Sequence, residues 1–407
     1  MKKISLLNIF LYFFCCISLL LSFYLNEDGS YSPLSGDFKD TWPYVLSLKE
    51  NILSDPSGYT VHYPLHYFLL SRLNFFISDP AVIRFFLMLI AMTIPFIFFI
   101  CINKKFDDKS RNVLFIICLS IFFIPAYRYS SIWANDRITT DIFILIGTYF
   151  FFQFDVSKKE IKYLYFCLLF FALACYSRQF YTVYYALFLI YIFKKSKLKN
   201  FFYLSIYSFI LSLPGFYLLF KFPYFFSGLA YSGNIFNTLL GNVSSLFVYT
   251  LPIILINTIL QKNNFFEKRK LLIYFIITLI VFSISYFFHD LETMGANGGA
   301  FFIFSKLIFN NYYFFYFIFT LNFFLILIIF EKYIDRFIVF SFVFIFCSII
   351  VPQSVFEPLF FFFFFLFSKS KFKNIFLESS KASYFLLSYY IFYYFISRTD
   401  VLYKVNF

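Results

Sequence analysis

Long apolar runs separated by short polar stretches follow one another along almost all of the 407 residues. A hydrocarbon core about 30 Å thick is crossed by roughly 20 helical residues, and by fewer where aromatic ends lie in the interface. The pattern therefore predicts an all-α, polytopic membrane protein with about 13 transmembrane helices. The predicted spans cover residues 4–25, 80–102, 112–127, 139–154, 163–177, 181–194, 201–220, 244–261, 271–288, 308–330, 337–351, 357–369 and 382–397.

Composition agrees with this pattern, because 61% of the residues are hydrophobic, more than a water-soluble domain keeps off its surface. We find no repeat at a fixed period and no linker between soluble parts, so residues 1–407 are predicted to form a single membrane domain. The first run is long for a signal peptide, and residues 25–28 offer no small-residue cleavage site, so we expect it to be retained as a helix.

The charge pattern predicts the orientation of the chain. Of the 34 Lys and Arg residues, 23 fall in clusters in every second loop, within 2–3, 104–111, 158–162, 194–199, 262–270, 332–336 and 369–381. The positive-inside rule explains such clusters, so the net charge of +13 does not indicate a nucleic-acid partner. With the N-terminus inside, the polar loops at the outer face are 26–79, 126–138, 221–243 and 289–306.

The first outer loop, residues 26–79, is long for a mere connection, and long loops in compact proteins are usually functional or disordered. Its aromatic and Pro content argues against disorder. The loop contains four residues that are candidates for chemistry, Asp37, Asp40, His62 and His66.

Two pieces of this loop, Gly36-Asp37-Phe38 and Tyr63-Pro64-Leu65, resemble the matching loop of the endoplasmic-reticulum glucosyltransferases that build the lipid-linked oligosaccharide. Those enzymes belong to the GT-C superfamily of polyprenyl-phosphate-sugar glycosyltransferases. Later segments resemble one branch, the α-1,2-glucosyltransferases that add the last glucose from dolichyl-phosphate glucose. These segments are Pro125-Ala126-Tyr127 through Asp136 and Thr139, Arg178-Gln179 with Val183, Asn297-Gly298-Gly299, and Glu357-Pro358.

The chain also departs from that family at several positions. Phe38 and Thr41 stand where an acidic residue and a His are expected, Phe180-Tyr181 replaces Thr-Asn, and Leu359 replaces an Arg. The resemblance implies a GT-C-like fold and an inverting transfer of a hexose, glucose in that branch, from a polyprenyl- or dolichyl-phosphate donor. The acceptor is expected to be a lipid-linked or surface glycan on the extracytoplasmic or lumenal side.

Inverting transfer needs a base that takes the proton of the acceptor hydroxyl, and a carboxylate at the membrane surface has that capacity. Asp37 is the predicted base. Asp40, one helical turn further on, is the alternative, or it orients the acceptor. Asp37 is otherwise interpreted as a loop carboxylate that caps a surface helix.

The leaving polyprenyl phosphate gains negative charge as the glycosidic bond breaks, so hydrogen-bond donors must face it. Arg178 with Gln179 is predicted to supply them, and the alternative for Arg178 is an interfacial Arg whose head reaches lipid headgroups. His62 and His66 are predicted to contact phosphate or sugar hydroxyls, or to be plain interfacial residues, since Pro64 disfavours the continuous helix that a metal pair needs.

Two further acidic residues are candidates for substrate binding. Asp136 is interpreted first as a local ion pair with Arg137 at a helix start, and otherwise as a contact to the acceptor. Glu357 is a candidate through the resemblance alone, and the alternative is a favourable position at a helix N-terminus.

No metal and no cofactor are expected. All seven Cys residues lie inside apolar runs without the spacing of a zinc site, and the chain contains neither a Gly-rich phosphate loop nor an Asp-x-Asp element of the nucleotide-sugar enzymes. Two other classes stay open, an O-antigen or capsular polysaccharide polymerase and a transporter or lipid-linked sugar flippase. Short loops and a length of 407 residues favour a bacterial inner membrane over the endoplasmic reticulum.

Overall fold

The structure of the protein is a computed structural model that describes residues 4–25, 27, 37–60, 62–156, 160–223, 225, 234–260, 268–290, 299–345 and 358–397. Every regular element in these ranges is helical, as the sequence predicts. The chain divides into two compact units, Met1–Phe122 with Tyr127–Ala230, and Phe123–Ala126 with Tyr231–Phe407. The prediction of a single membrane domain stays a prediction.

The first part of the chain, up to residue 225, contains α-helices joined by short connections. They are α1 (Leu6–Tyr24), α2 (Asp37–Glu50), α3 (Leu65–Leu73), α4 (Pro80–Met92), α5 (Ile94–Lys105), α6 (Arg111–Leu119), α7 (Pro125–Ile132), α8 (Asp136–Val156), α9 (Lys162–Ser177), α10 (Thr182–Lys195) and α11 (Leu198–Lys221). Two 3₁₀ turns, Ser120–Phe123 and Gln179–Tyr181, interrupt this series.

The later part of the chain continues in the same way from residue 235. Its helices are α12 (Ile235–Leu260), α13 (Lys268–Phe288), α14 (Gly299–Phe309), α15 (Tyr313–Ile329), α16 (Tyr333–Ile345), α17 (Leu359–Leu366), α18 (Lys373–Glu378) and α19 (Ser380–Ser397).

The helix starts follow local capping chemistry. At α4, the Asp79 carboxylate accepts the backbone N–H of Ala81 at 2.8 Å, and Pro80 occupies the first turn, where no backbone N–H is needed. At α3, Pro64 immediately precedes the first helical residue. Pro64 therefore separates His62, in the segment before the helix, from His66, which lies in the first turn of the helix.

Among the described residues, five helical segments are long and apolar enough to cross a membrane: Leu6–Tyr24, Pro80–Lys105, Leu198–Lys221, Ile235–Leu260 and Arg269–Phe288. A sixth is obtained if the pair Arg111–Phe123 and Pro125–Ile132, bent by 67°, forms one broken span. The protein is thus a helical protein with several long apolar helices, compatible with integral membrane insertion.

The predicted count of 13 spans is not supported. Most of the other predicted spans correspond to helices that are too short or too polar by themselves. The predicted span 163–177 forms the 16-residue α9, and 357–369 contains the 8-residue α17. The predicted span 139–154 lies in α8, which is 21 residues long but contains Asp136, Arg137 and Asp141. A crossing needs roughly 20 apolar residues; α9 and α17 are shorter than that, and charged residues shorten the apolar run of α8.

The first loop, residues 26–79, contains the helices α2 and α3, which pack on each other and on α4. The side chains at this contact are almost fully buried, among them Tyr44, Leu48, Tyr67, Leu70 and Ile83. Because these helices share an apolar core, the described part of the loop is a folded element and not a flexible connection.

Candidate functional site

Three chain segments that are distant in sequence meet at Arg178 in the first unit. α9 ends at Ser177, and Arg178 itself has an extended backbone with φ −144° and ψ 109° before the 3₁₀ turn Gln179–Tyr181 begins. This break directs the chain from α9 into α10. The first residue of α8, Asp136, and the approach to α3, at His62, supply the partners of Arg178.

The centre of the cluster is a buried ion pair. The Nε of Arg178 donates to Oδ1 of Asp136 at 2.8 Å, and the Nη2 of Arg178 donates to Nε2 of His62 at 3.2 Å. The Asp136 side chain is fully buried, whereas the Arg178 side chain keeps 11% of its surface exposed. Burying both charges costs desolvation energy, which close pairing and hydrogen bonding offset.

Some polar atoms of this pair are not satisfied by the described part of the chain. Oδ2 of Asp136 is buried, lies 4.0 Å from Nε2 of His62, and accepts no hydrogen bond from a described residue. Nη1 of Arg178 donates to none of the described residues either. A buried acceptor without a donor is costly, so it indicates a place where a ligand or water supplies the missing bond.

The protonation states follow from the surroundings. Burial raises the pKa of Asp136, but the charge of Arg178 and its hydrogen bond act in the opposite direction, so the pKa lies below its ordinary value and the carboxylate is ionised. Burial lowers the pKa of His62 to about 4, although Asp136 acts in the opposite direction. His62 is therefore neutral at pH 7, and its Nε2 is unprotonated because it accepts from Arg178.

His66 is held by both ring nitrogens. Its Nε2 lies 2.9 Å from the carbonyl oxygen of Ala134 and must donate to it, so its Nδ1 accepts from the hydroxyl of Thr139 at 2.8 Å. Burial lowers the pKa of His66 to about 4 as well, and the ring is neutral. Since neither nitrogen is available to a substrate, His66 acts in this structure as a positioning residue for the start of α8.

The turn that His66 contacts is strained. Ala134 has φ +52°, a conformation that non-glycine residues rarely adopt, and its side chain is buried. The turn is held on its other side by Arg84, whose guanidinium lies 3.9 Å from the Trp133 ring and whose Nε donates to the carbonyl of Ile132 at 3.1 Å. These contacts fix the point from which α8 begins, and so the position of Asp136.

Gln179 joins the first loop to the cluster. Its Oε1 accepts the backbone N–H of Tyr63 at 3.2 Å, and its Nε2 donates to the carbonyl of Phe225 at 3.2 Å. The side chain is 1% exposed. Gln179 thus secures the segment that carries His62 beside Arg178.

Of the remaining candidates Asp37, Asp40 and Glu357, only Asp40 has a side chain that the structure describes. Asp40 is exposed on α2, and no hydrogen bond or ion pair links it to the cluster among the described residues. Asp37 is the first residue of α2, but its side chain is outside the part that the structure describes. Glu357 and the first two residues of the Asn297-Gly298-Gly299 segment lie outside the described residues.

Asp136 forms its ion pair with Arg178 and not with its neighbour Arg137, among the described residues. The prediction of a local Asp136–Arg137 pair is therefore wrong. Arg137, Arg178 and Asp136 all lie within the same buried region, where Asp136 forms its ion pair with Arg178, the residue that follows α9. Contacts between residues so far apart in the sequence leave no signature in the local pattern of residue types.

Sequence reasoning missed Asp141. Its side chain is fully buried one helical turn after Arg137, and neither carboxylate oxygen has a hydrogen-bond partner in the described part of the chain. The available signal was the placement of three charges within the first six residues of a helix that continues as a long apolar run, which is expensive unless the charges are functional or paired.

An apolar pocket of about 250 Å³ lies next to the segment that Gln179 secures. It is formed by α9, α10 and α11 together with Tyr63, whose hydroxyl donates to the carbonyl of Gly215 at 3.0 Å. Phe216, on the candidate span α11, lines this pocket and is 50% exposed. The pocket therefore reaches the apolar surface of the first unit.

Comparison of the chain with protein-family models, with curated proteins and with solved structures finds no match.

Proposed function

We propose that this protein is a membrane glycosyltransferase that transfers a hexose from a polyprenyl-phosphate carrier to a glycan acceptor on the extracytoplasmic side. The observation that supports the proposal most is the meeting of His62, Asp136, Arg178 and Gln179 in one buried cluster with unsatisfied polar atoms. The motif resemblance singled out Asp136, Arg178 and Gln179, and His62 was a candidate as a polar residue of the first outer loop. A bacterial inner membrane is the proposed location.

The donor phosphate is assigned to Arg178. Its Nη1 is free of hydrogen bonds to described residues, and its side chain is the partly exposed member of the pair with Asp136. An arginine fork suits a phosphate oxygen, and Asp136 and His62 hold the fork in one orientation before the donor arrives. Preorganised donors of this kind stabilise the charge that develops on a leaving phosphate.

The isoprenoid chain of the donor is assigned to the apolar pocket between α9, α10 and α11. Tyr63 lines this pocket, and its backbone N–H binds Gln179, the neighbour of Arg178. A carrier with its phosphate at Arg178 therefore has an apolar path for its chain that leads to the lipid-facing helix α11.

The chemical step is a substitution at the anomeric carbon. The acceptor oxygen forms the new bond to that carbon while the carbon–oxygen bond to the phosphate breaks, and the polyprenyl phosphate leaves with the electron pair. The acceptor proton passes to a carboxylate base, for which Asp37 is proposed. Asp37 begins α2, and α2 packs on α3, which follows His62 directly in the chain. Oδ2 of Asp136, which has no hydrogen-bond donor among the described residues, is proposed to accept a hydrogen bond from a sugar hydroxyl.

The first test compares Asp37→Asn with Asp40→Asn. The substitution removes basicity and keeps shape, so Asp37→Asn should abolish transfer of radiolabelled glucose from a polyprenyl-phosphate donor by purified protein in nanodiscs. Asp40→Asn should reduce transfer much less, and both variants should melt near the wild-type temperature. Full activity in Asp37→Asn with loss in Asp40→Asn would reassign the base.

A second test identifies the acceptor glycan in cells. Mass spectrometry of lipid-linked glycans from a deletion strain should show an intermediate that lacks one hexose, and the wild-type gene should restore it while Arg178→Ala should not. Glycans that lack whole repeat units instead of one hexose would favour a polymerase and contradict the proposal.

A further inference from the structure

A second apolar pocket, of about 370 Å³, lies between α3, α4 and α8 in the first unit. Its walls are apolar side chains of the three helices, including Leu70, Leu73, Leu87, Ile90, Ile142 and Phe143. This volume lies within the range of small-molecule sites. The pocket is separate from the one assigned to the donor chain, because the two have no lining residue in common.

The pocket reaches the surface where lipid is expected. Ile90 and Phe76 line it and are 42% and 88% exposed. α4 belongs to the candidate span Pro80–Lys105, and its neighbouring residues Phe86 and Leu89 are also exposed. Exposed apolar side chains on a membrane-spanning helix face acyl chains, so the pocket opens toward hydrocarbon.

A single positively charged side chain, Arg72, lines this apolar pocket. Its Nε is buried and has no hydrogen-bond partner in the part of the chain that the structure describes, and its Nη2 donates to the carbonyl of Leu48 at 3.4 Å. Its guanidinium lies 4.6 Å from the centre of the Phe68 ring and 5.4 Å from that of Phe75. No carboxylate among the described residues forms an ion pair with it, so its charge lacks a counter-ion there.

A second cation lies beside the same aromatic ring. The Lys49 ammonium is 4.9 Å from the centre of the Phe75 ring and donates to the backbone and side-chain oxygens of Asn74 at 3.4 and 3.2 Å. It has no carboxylate partner among the described residues either. Two positive charges without counter-ions next to a lipid-facing pocket are complementary to an anionic headgroup.

We propose that this pocket binds an anionic phospholipid of the outer leaflet, with one acyl chain between α3, α4 and α8 and the phosphate at Arg72 and Lys49. An anionic headgroup supplies an acceptor for the buried Nε of Arg72 and neutralises both charges. A zwitterionic choline lipid brings a cation to the same place, which lowers its affinity. His66 lines the pocket and holds Thr139 and Ala134, so the lipid packs against the wall that positions Asp136.

The proposal is tested by lipid binding and does not depend on the transferase activity. Delipidated protein in detergent is titrated with phosphatidylglycerol, phosphatidylcholine or polyprenyl phosphate and followed by native mass spectrometry. We expect one tightly retained phosphatidylglycerol, bound about tenfold more tightly than phosphatidylcholine, and raised thermal stability on its addition.

Three variants and one control sharpen the test. Arg72→Gln and Lys49→Gln should each weaken phosphatidylglycerol binding toward the level of phosphatidylcholine, and Ile90→Trp, which obstructs the pocket without altering charge, should weaken both lipids. Arg336→Gln is the control, because Arg336 donates to the backbone carbonyls of Phe330 and Leu327 in the other unit and should leave binding unchanged.

Two results overturn the proposal. One is equal retention of the two phospholipids by wild type and by Arg72→Gln at matched melting temperature. The other is tight binding of polyprenyl phosphate by wild type that is lost in Arg72→Gln and Ile90→Trp, while phosphatidylglycerol binds neither wild type nor these variants. That result would assign the pocket to the donor instead.

Discussion

Two arginines of the first unit, Arg128 and Arg178, are both buried beside a carboxylate, yet their hydrogen bonding differs. Arg128 donates through Nη1 to the hydroxyl of Ser18 at 3.1 Å and the carbonyl of Phe122 at 3.3 Å. Its Nη2 donates to the carbonyl of Ser18 at 3.1 Å and to the hydroxyl of Ser22. Glu27 lies 3.6 Å from Nε and completes the site.

Arg178 has fewer partners within the protein. It binds Asp136 and His62, and both its Nη1 and the Oδ2 of Asp136 make no hydrogen bond to the described residues. The two sites use a buried charge in different ways. The Nη groups of Arg128 donate to the fold and join α1 to α7, whereas Arg178 keeps an Nη group without a described acceptor, which supports the proposed contact to a ligand.

The largest expected effect is on stability, from Arg128→Ala. The substitution leaves Glu27 buried without its cation, which costs about 3–5 kcal/mol in typical proteins. Thermal unfolding in detergent should show the loss, and Glu27→Gln in the same background should recover part of it. If Arg128→Ala melts like wild type, the hydrogen bonds of Arg128 do not stabilise the fold, and the contrast with Arg178 is contradicted.

The next effect is on transfer, from Arg178→Ala. Removal of one preorganised donor should lower the transfer rate on the order of 10²-fold. Arg178→Lys should recover only part of the rate, because an ammonium keeps the charge but loses the fork. Transfer at the wild-type rate by both variants would make Arg178 an interfacial anchor.

A smaller effect is expected from His62→Ala, which removes the acceptor that orients Nη2 of Arg178. Transfer should fall by about tenfold, as expected for the loss of one hydrogen bond to a charged group. His62→Gln, which offers an amide oxygen in its place, should restore most of the rate. Equal activities of the Ala and Gln variants would show that orientation by His62 is unimportant.

The smallest effect concerns pH. Burial lowers the pKa of His66 to about 4 from an ordinary value of 6.5. As the pH falls, the unfolded chain therefore takes up this proton at a higher pH than the folded chain does. The contribution of the neutral ring is complete above pH 6.5 and is lost as the pH falls toward 4. Melting temperatures of wild type and His66→Gln between pH 7 and 4.5 should diverge least at low pH. Parallel curves would contradict this role.

The number of membrane spans is where sequence reasoning went wrong. Runs such as 163–177 and 181–194 are predicted as spans although they are shorter than about 20 residues, and in the structure they form α9 and α10, of 16 and 14 residues. An apolar run shows that a helix is buried in something apolar. It does not show whether that surrounding is lipid or the rest of the protein.

The roles within the candidate site were also only partly predictable. The sequence selected His62 and His66 as polar residues of the first loop, and Asp136, Arg178 and Gln179 through the motif resemblance, and the structure brings all five together. It could not separate His66, whose nitrogens are both occupied by the fold, from His62, which faces Arg178.

The sequence by itself determined that this is a helical protein with long apolar helices and a structured first loop, because hydrophobicity, capping and charge act over a few neighbouring residues. Only the tertiary structure decided which buried charges are satisfied. The partners of Arg178 lie 42 and 116 residues away, and those of Arg128 in α1 lie 106 and 110 residues away. Hydrogen-bond partners at such separations are set by how helices pack, and no local pattern of residues records them.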